Sequence, residues 1–172
     1  MPIRRIVTGR RSGKSVVLSD SRVEGEFETV PGSAHFDLWA VDGTPKAGQA
    51  ASVLSATVLP PAGGTRFMVV SFPPLPVLMD PDADQQARAQ EAAARLRDMM
   101  ASFEPDNPGM HTTPTLDYGV LLTGALSLEL DDGVLVDLEP GDVVVQNGTR
   151  HAWRNVGDEP AVMAFVLVGA SP

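Results

Sequence analysis

The sequence predicts an all-β fold, an antiparallel barrel with extra N-terminal strands and one helix. Short runs rich in β-branched and aromatic residues recur along the chain, and Gly, Pro and Asp separate them. A single stretch rich in Ala and Gln interrupts this series. Because 172 residues with 43% hydrophobic content can bury one core, we expect one domain over residues 1–172. Within it, residues 1–75 hold the N-terminal strands, 80–104 the helix and 109–170 the core of the barrel.

The N-terminal part begins with a predicted hairpin from Arg4 to Ser19. Its turn, Gly9 to Lys14, resembles a phosphate-binding loop, but the gap between its glycines is one residue too short. The β-branched Val16 and Val17 follow it where such a loop needs a helix, so we predict no nucleotide site there. Further strands are predicted at Phe36 to Val41, Ala51 to Val58 and Arg66 to Phe72.

One helix is predicted from Gln85 to Phe103, with an N-cap at Asp80 and a proline at Pro81 to begin it. Apolar residues recur along it at three- and four-residue intervals and form one narrow stripe. The stripe consists of Ala89, Ala93, Leu96, Met100 and Phe103. We expect the helix to cover a face of the barrel; a dimer contact or a lid over a pocket is the alternative.

After residue 109 the sequence alternates strands with tight turns. Asp131-Asp132-Gly133 predicts a hairpin turn, because Asp-Gly readily takes the positive φ angles of tight hairpins. The predicted strands are Tyr118 to Leu122, Leu126 to Leu130, Val134 to Leu138, Val143 to Gln146, His151 to Asn155 and Ala161 to Val168.

The charge and composition of the chain exclude several classes of partner and of catalysis. The net charge of -9 repels phosphate groups, so we expect no nucleic acid and no membrane surface as partner, and a small molecule instead. The chain has no cysteine, which excludes thiol catalysis and thiolate ligands. No apolar run of signal-peptide or membrane-span type is apparent, and we expect a cytoplasmic protein.

His111, Asp117 and His151 are the candidate metal ligands. Period-two alternation places His111, Thr113 and Asp117 on one strand face, and Pro114 supplies the bend that this segment needs. Two imidazoles and one carboxylate leave coordination positions open for a substrate. An empty pocket on the same residues, or a purely structural role, stays open as an alternative. His35 has no partner at ligand spacing, so we predict a surface or edge histidine.

The segments from His111 to Gly124 and from Pro140 to Asn155 resemble the two signature motifs of the cupin family. The resemblance implies a double-stranded β-helix, or jelly-roll barrel, with a divalent metal (Fe, Mn, Zn or Ni) at its mouth. His111 matches the first histidine of the motifs, Asp117 the acid and His151 the histidine of the second motif. The second histidine of the family is replaced by Thr113, and Asp stands in place of the usual Glu. The whole chain also resembles bacterial single-domain cupins of the conserved-barrel type.

The function we expect is metal-dependent chemistry on a small oxygenated metabolite, of the lyase, dehydratase or isomerase type. Tyr118 or a metal-bound water is predicted to carry the proton, and Thr113, Gln146 and Trp153 to contact the substrate. An Fe(II) dioxygenase and a non-catalytic binding or regulatory cupin are the alternatives. We also expect a homodimer, because the N-terminal strands of such barrels add to a neighbour's sheet.

Overall fold

Ten strands and two helices are found in residues 2–48 and 57–171, the part of the chain that the computed structural model describes. The strands are β1 (Ile3–Arg11), β2 (Lys14–Val23), β3 (Ala34–Val41), β4 (Thr65–Phe72), β5 (Thr115–Thr123), β6 (Leu126–Glu129), β7 (Leu135–Leu138), β8 (Val143–Asn147), β9 (Ala152–Arg154) and β10 (Ala161–Gly169). The helices are α1 (Leu75–Leu78) and α2 (Gln85–Leu96), and 3-10 turns follow at Arg97–Ser102 and Asp131–Gly133. The predicted strand Ala51 to Val58 lies almost wholly outside the described residues.

The described strands form three antiparallel sheets. β1 and β2 make a hairpin, β3-β4-β10-β5-β8 make a five-stranded sheet, and β7-β6-β9 make a three-stranded sheet. Leu121 and Met163 of the larger sheet share one buried core with Leu126 and Leu138 of the smaller sheet. Two sheets packed face to face in this way are the predicted double-stranded β-helix, so the predicted fold class is confirmed.

The strand pattern of β5 decides which side chains face the interior. Its buried residues alternate, with Asp117 and Leu121 inside and the intervening Tyr118 exposed, as the pleat of a half-buried strand requires. Asp117 lies between Leu167 of β10 and Gln146 of β8 in the sheet register. The Asp117 carboxylate therefore lies on the interior side of the sheet, between the apolar Leu167 and the amide side chain of Gln146.

The chain changes sheets just before β5, at the bend predicted for Pro114. His111 forms a two-residue bridge with His151, in which each backbone N–H donates to the other's carbonyl at 2.9 and 3.0 Å. Four residues later Thr115 begins β5 in the five-stranded sheet. At the far end of β5, Gly124 has φ +83, and a Cβ there would lie 2.7 Å from the Cα of Ala161. Only glycine fits both conditions, which explains its place in the motif.

The helical region differs from the prediction at both ends. Asp84, and not Asp80, caps α2: its side chain accepts a hydrogen bond from the N–H of Ala87 at 2.9 Å. The helix ends at Leu96, and the chain continues as a 3-10 turn. The short helix α1 was not predicted. By contrast, the predicted hairpin turn is confirmed, since Asp132 and Gly133 have φ values of 58 and 72.

Glu91 fixes α2 to the loop before β3. Its carboxylate accepts hydrogen bonds from the N–H groups of Glu28 and Thr29, both at 2.8 Å, and from the Thr29 hydroxyl at 2.6 Å. Arg95, one turn along the helix, donates to the same carboxylate at 3.1 Å. Within the described ranges, no helix is both long and apolar enough to span a bilayer.

Candidate functional site

A cavity of about 500 Å³ lies between the five-stranded sheet and α2. Its walls are mostly apolar and include five aromatic side chains: Phe27, Phe72, Phe103, Trp153 and Phe165. Ala89, Ala92 and Leu96 of α2 form the opposite wall. The helix therefore lies over a pocket, which is the lid role considered as an alternative for its apolar stripe. A cavity of this size accommodates an organic molecule of several rings.

Five of the predicted site residues line this cavity. They are His111, Thr113, Asp117, His151 and Trp153. All but Trp153 are buried, and Trp153 is partly buried. The motif spacing thus brings together side chains from two separate segments of the chain, residues 111–117 and 151–153.

The two histidine rings are in contact, with their planes tilted by 50° and the orientation of each ring fixed. Their ring centroids are 4.2 Å apart. The Nδ1 of His111 lies 3.0 Å from the carbonyl of Gly109, and the Nδ1 of His151 lies 2.9 Å from the carbonyl of Thr149. Because a carbonyl oxygen only accepts, each ring carries its proton on Nδ1. Each Nε2 is then an unprotonated acceptor, and no described side chain or backbone group pairs with it.

Burial keeps both imidazoles neutral. It lowers the pKa of His111, against the opposing effect of the Gly109 carbonyl. Burial, followed by the charge of His111, lowers the pKa of His151 to about 4, although the Thr149 carbonyl raises it. At neutral pH the pair is therefore an uncharged acceptor surface in the cavity wall.

Asp117 is a buried carboxyl group with one unpaired oxygen. Burial raises the pKa of Asp117 to about 6, although a hydrogen bond with Thr115 lowers it. Its Oδ1 has no hydrogen-bond partner in the described structure. The neighbour Leu167 is apolar, and the Gln146 amide is used elsewhere. Asp117 is consequently a stronger base than His151, the reverse of the usual order of these two side chains.

Gln146 does not line the cavity but supports His151. Its Nε2 donates to the Thr149 carbonyl at 3.0 Å and to the Thr149 hydroxyl. The same carbonyl accepts from Nδ1 of His151. Gln146 thus holds the acceptor that orients the His151 ring, and the predicted substrate contact is replaced by a positioning role.

Tyr118 lies on the outer face of β5 and does not reach the cavity. Its side chain is 48% exposed and follows directly after the inward-facing Asp117. Consecutive residues of a strand point to opposite faces, so the two side chains cannot share one cavity. We therefore drop Tyr118 as the proton carrier. Thr113 is placed as predicted, but its hydroxyl already bonds the Thr115 hydroxyl at 2.8 Å.

The predicted three-ligand metal centre is not assembled. Among the residues that the structure describes, no three His, Asp or Glu side chains lie close enough to hold one ion. The two free Nε2 atoms suit a metal, and so does the unpaired Asp117 Oδ1, but they do not converge. The donor set therefore does not fit a three-ligand ion, and the chemistry below is derived without one.

His35 also lines the cavity, although it was predicted to be a surface or edge histidine. It lies on β3, the edge strand of the five-stranded sheet, yet only 7% of the residue is exposed. The edge position is confirmed and the surface position is wrong. No motif surrounds His35, so nothing in the sequence pattern marks it as a cavity residue.

Comparison with known proteins supports the cupin resemblance. The cupin domain family (Cupin_2) matches residues 99–168, which include His111, Asp117 and His151. Phomopsin biosynthesis cluster protein C′ from Diaporthe leptostromiformis is 47% identical over 64 residues, which cover 37% of this chain and 34% of that protein. The cupin-domain-containing oxidoreductase virC from Hypocrea virens is 32% identical over 115 residues, covering 61% of this chain and 59% of that protein.

Both relatives are fungal, and the chain spans only 34% and 59% of their lengths. A crystal structure of a putative ethanolamine utilization protein Q from Salmonella typhimurium is 13% identical and covers 99% of this chain and 98% of that chain, with a TM-score of 0.45. The family match falls on the strands that carry the histidine pair and Asp117. Residues 99–168 of this chain are a cupin domain.

Proposed function

We propose that this cupin is an enzyme that moves a proton on a small, largely apolar molecule bearing a hydroxyl group. The observation that carries the proposal is the lining of one apolar cavity by two unprotonated histidine Nε2 atoms and an unpaired buried carboxyl. Oδ1 of Asp117 is buried and unpaired, which costs free energy, and the fold itself has no use for such an atom. Functional sites are where such groups are retained.

Binding follows from the walls of the cavity. The apolar body of the molecule packs against Phe72, Phe165 and Trp153, whose rings lie 5.6 to 6.4 Å apart. The hydroxyl group donates to Nε2 of His111 or His151, which are acceptors in their neutral form. α2 then covers the bound molecule and keeps water away.

Proton transfer is assigned to Asp117 together with the histidine pair. A carboxyl group with a pKa of about 6 gives and takes a proton readily near neutral pH. In an enol-to-keto isomerisation the Asp117 carboxylic acid protonates carbon, and Nε2 of a histidine accepts the O–H proton. The C=C bond becomes C–C, the C–O bond becomes C=O, and no electrons are gained or lost. The sequence also predicted isomerase-type chemistry, but with a divalent metal as its agent.

The relatives support an enzyme rather than a passive binder. The matching proteins from Hypocrea virens and Aspergillus ruber are both named cupin-domain-containing oxidoreductases. The second is 39% identical over 80 residues, covering 45% of this chain and 38% of that protein. Because the matches cover part of each protein, we carry over catalysis in general and not the reaction class.

Exchange of hydrogen for deuterium in 2-naphthol tests the proposal. The enol of 2-naphthol exchanges the hydrogen at C1 when that carbon is protonated and deprotonated, and mass spectrometry in D2O follows the exchange. We expect the protein to accelerate it by roughly a hundredfold over buffer and the Asp117→Asn variant to lose the acceleration. Tyr118→Phe, altered on the outer face, serves as the control and should match the unaltered protein. No acceleration, or full acceleration in Asp117→Asn, would contradict the proposal.

A second candidate is a metal-dependent cupin in which His111 and His151 hold a divalent ion. It is favoured by the two free Nε2 atoms on neighbouring rings and by the unpaired Oδ1 of Asp117. Asp117 would have to move towards the pair to complete the site. Elemental analysis decides: near-stoichiometric metal that is lost in both His111→Ala and His151→Ala supports this candidate, and metal-free, active protein excludes it.

We also propose a homodimer. Exposed apolar side chains of four neighbouring strands stand side by side on the outer face of the five-stranded sheet. They are Phe67, Val166, Tyr118 and Val145, which are cross-strand neighbours in that order. A second copy presents the same row, and a two-fold axis through it would bury both.

A further inference from the structure

His35 is a buried imidazole for which neither the fold nor the proposed reaction has a use. It lines the same cavity as the histidine pair, but from β3 at the other side of the sheet. Its Nε2 is buried and has no partner in the described structure. Leaving such an atom unpaired costs free energy, which an apolar side chain in its place would avoid.

The other ring nitrogen of His35 faces a carboxylate. Nδ1 lies 3.6 Å from Oδ1 of Asp37, whose Oδ2 accepts a hydrogen bond from Nη2 of Arg97 at 2.8 Å. The negative charge of Asp37 favours the tautomer with its proton on the nearer nitrogen, Nδ1, which leaves Nε2 as an acceptor. Arg97 directly follows α2, so the same ion pair ties the covering helix to this end of the cavity.

The distance between the two polar regions sets the length of the molecule. β4 and β10 lie between β3, which carries His35, and β5, which carries Asp117. Three strand spacings amount to about 14 Å across the sheet, and the register adds four residues, about 13 Å, along β5. The curvature of the barrel shortens the direct path. A molecule of one ring does not reach both regions, whereas two rings joined by a short linker do. The side chains of Met68, Val70 and Phe165 between them are apolar, so the middle of the ligand needs no polar group.

We propose that His35 recognises a second hydroxyl group, so that the natural ligand is an elongated apolar molecule with a hydrogen-bond donor at each end. This inference rests on the proposed function, because it takes the first hydroxyl to be bound by His111 or His151. It adds the substrate class, aromatic or polycyclic diols, since the unpaired histidine nitrogens at the two ends of the cavity are acceptors.

Two stilbenes of the same shape test the proposal by isothermal titration calorimetry. 4,4′-Dihydroxystilbene has a donor at each end, and 4-hydroxy-4′-methoxystilbene has a donor at one end only. We expect the unaltered protein to bind the diol roughly 3- to 10-fold more tightly, as one added hydrogen bond predicts. In His35→Leu this ratio should fall to about one, while binding of the methoxy compound is retained.

Val70→Ala is the matched control. Val70 pairs with His35 across β3 and β4 and lines the same cavity. Its truncation should weaken both stilbenes alike and leave their ratio unchanged. If His35→Leu does not fold, His35→Phe replaces it, because phenylalanine keeps a ring without a nitrogen.

The outcomes separate this inference from the proposed function. If neither stilbene binds the unaltered protein, both proposals are overturned. If both stilbenes bind but the unaltered protein does not prefer the diol, only the role of His35 is overturned. The same holds if the preference for the diol persists in His35→Leu. A higher urea midpoint of ligand-free His35→Leu would further support a residue kept for binding and not for stability.

Discussion

His111 and His151 are held by the same kind of contact, repeated in two paired segments of the chain. Each Nδ1 donates to the carbonyl two residues before it, at 3.0 Å from Gly109 and 2.9 Å from Thr149. The two backbones are joined by a pair of hydrogen bonds, and the ring centroids lie 4.2 Å apart. The pair therefore presents two acceptor nitrogens whose orientation is determined before any ligand arrives, which lowers the cost of binding.

Asp117→Asn should increase the free energy of unfolding at pH values above about 4 and leave it nearly unchanged below. Folding raises the pKa of Asp117 from 3.8 to about 6 because the group is buried. A raised pKa stabilises the fold fully below the unfolded value, and that stability is lost as the pH rises through the folded value. Once the carboxyl is ionised, its burial costs about 3 kcal/mol. Asparagine has no charge to bury, so it escapes that cost.

Urea unfolding of Asp117→Asn and the unaltered protein at pH 7.5 and pH 4 measures this difference. Comparing the two proteins at each pH cancels the titration of His151 and of other groups. We expect a higher midpoint for the variant at pH 7.5 and nearly equal midpoints at pH 4. A variant that is less stable at pH 7.5 but equally stable at pH 4 would show that the ionised carboxylate has a stabilising partner.

Gln146→Leu should impair the site more than the barrel. The substitution removes the donor to the Thr149 carbonyl and so loosens the support of the His151 ring. We expect 2-naphthol exchange to fall roughly tenfold, as for the loss of an orienting partner, with the circular dichroism spectrum unchanged. A variant with full exchange activity would mean that His151 is oriented without Gln146.

Much of this site follows from the sequence. The spacing from His111 to Gly124 and from Pro140 to Asn155 predicts three residues of one cavity, because strand pleat and motif geometry fix their faces. Tyr118 was misassigned against the same rule, since it directly follows Asp117 and has to face outward. Distances between side chains do not follow from spacing, so the failure of the three ligands to converge was not predictable.

His35 and the role of α2 depend on contacts distant in sequence. Seventy-six positions separate His35 from His111, and only the pairing of β3 with β4 and β10 brings it to the cavity wall. The apolar stripe of α2 indicates that one face packs, but not on what. The hydrogen bonds of Glu91 with Glu28 and Thr29 determine where the helix packs, and no local sequence pattern predicts them.

Glu91→Gln should loosen the covering helix. Burial raises the pKa of Glu91, but hydrogen bonds from Thr29, Glu28 and Arg95 outweigh it and lower the pKa to about 2. Glutamine keeps the shape but has one acceptor oxygen in place of two. We expect stability to fall by about 1–2 kcal/mol and the helix amides to exchange faster in hydrogen–deuterium exchange.

The pH dependence of Glu91 runs opposite to that of Asp117. Its pKa is lowered on folding, so its stabilisation is present above the unfolded value of 4.5 and is lost as the pH falls towards about 2. The difference between the unaltered protein and Glu91→Gln should therefore shrink in that acidic range. A difference that stays constant would assign the effect to packing and not to the ionised carboxylate.

Val145→Lys should yield a monomer. Val145 is 58% exposed and lies beside Tyr118 at the edge of the apolar row on the five-stranded sheet. A buried unpaired ammonium would not be tolerated at a two-fold interface, whereas the folded monomer leaves it in water. Light scattering after size exclusion measures the mass. Val17→Lys, exposed on the separate hairpin, is the control and should stay dimeric. A dimer that persists in Val145→Lys would place the interface elsewhere.

Nitrogen-15 NMR of the three histidines, with and without 2-naphthol, tests the central claim most directly. At pH 7 the free protein should show His111 and His151 as neutral rings protonated on Nδ1. Addition of 2-naphthol should shift an Nε2 resonance of this pair to the position of a hydrogen-bonded acceptor. Rings protonated on Nε2, or resonances unmoved by saturating 2-naphthol, would contradict the account of the cavity as a hydroxyl-binding site.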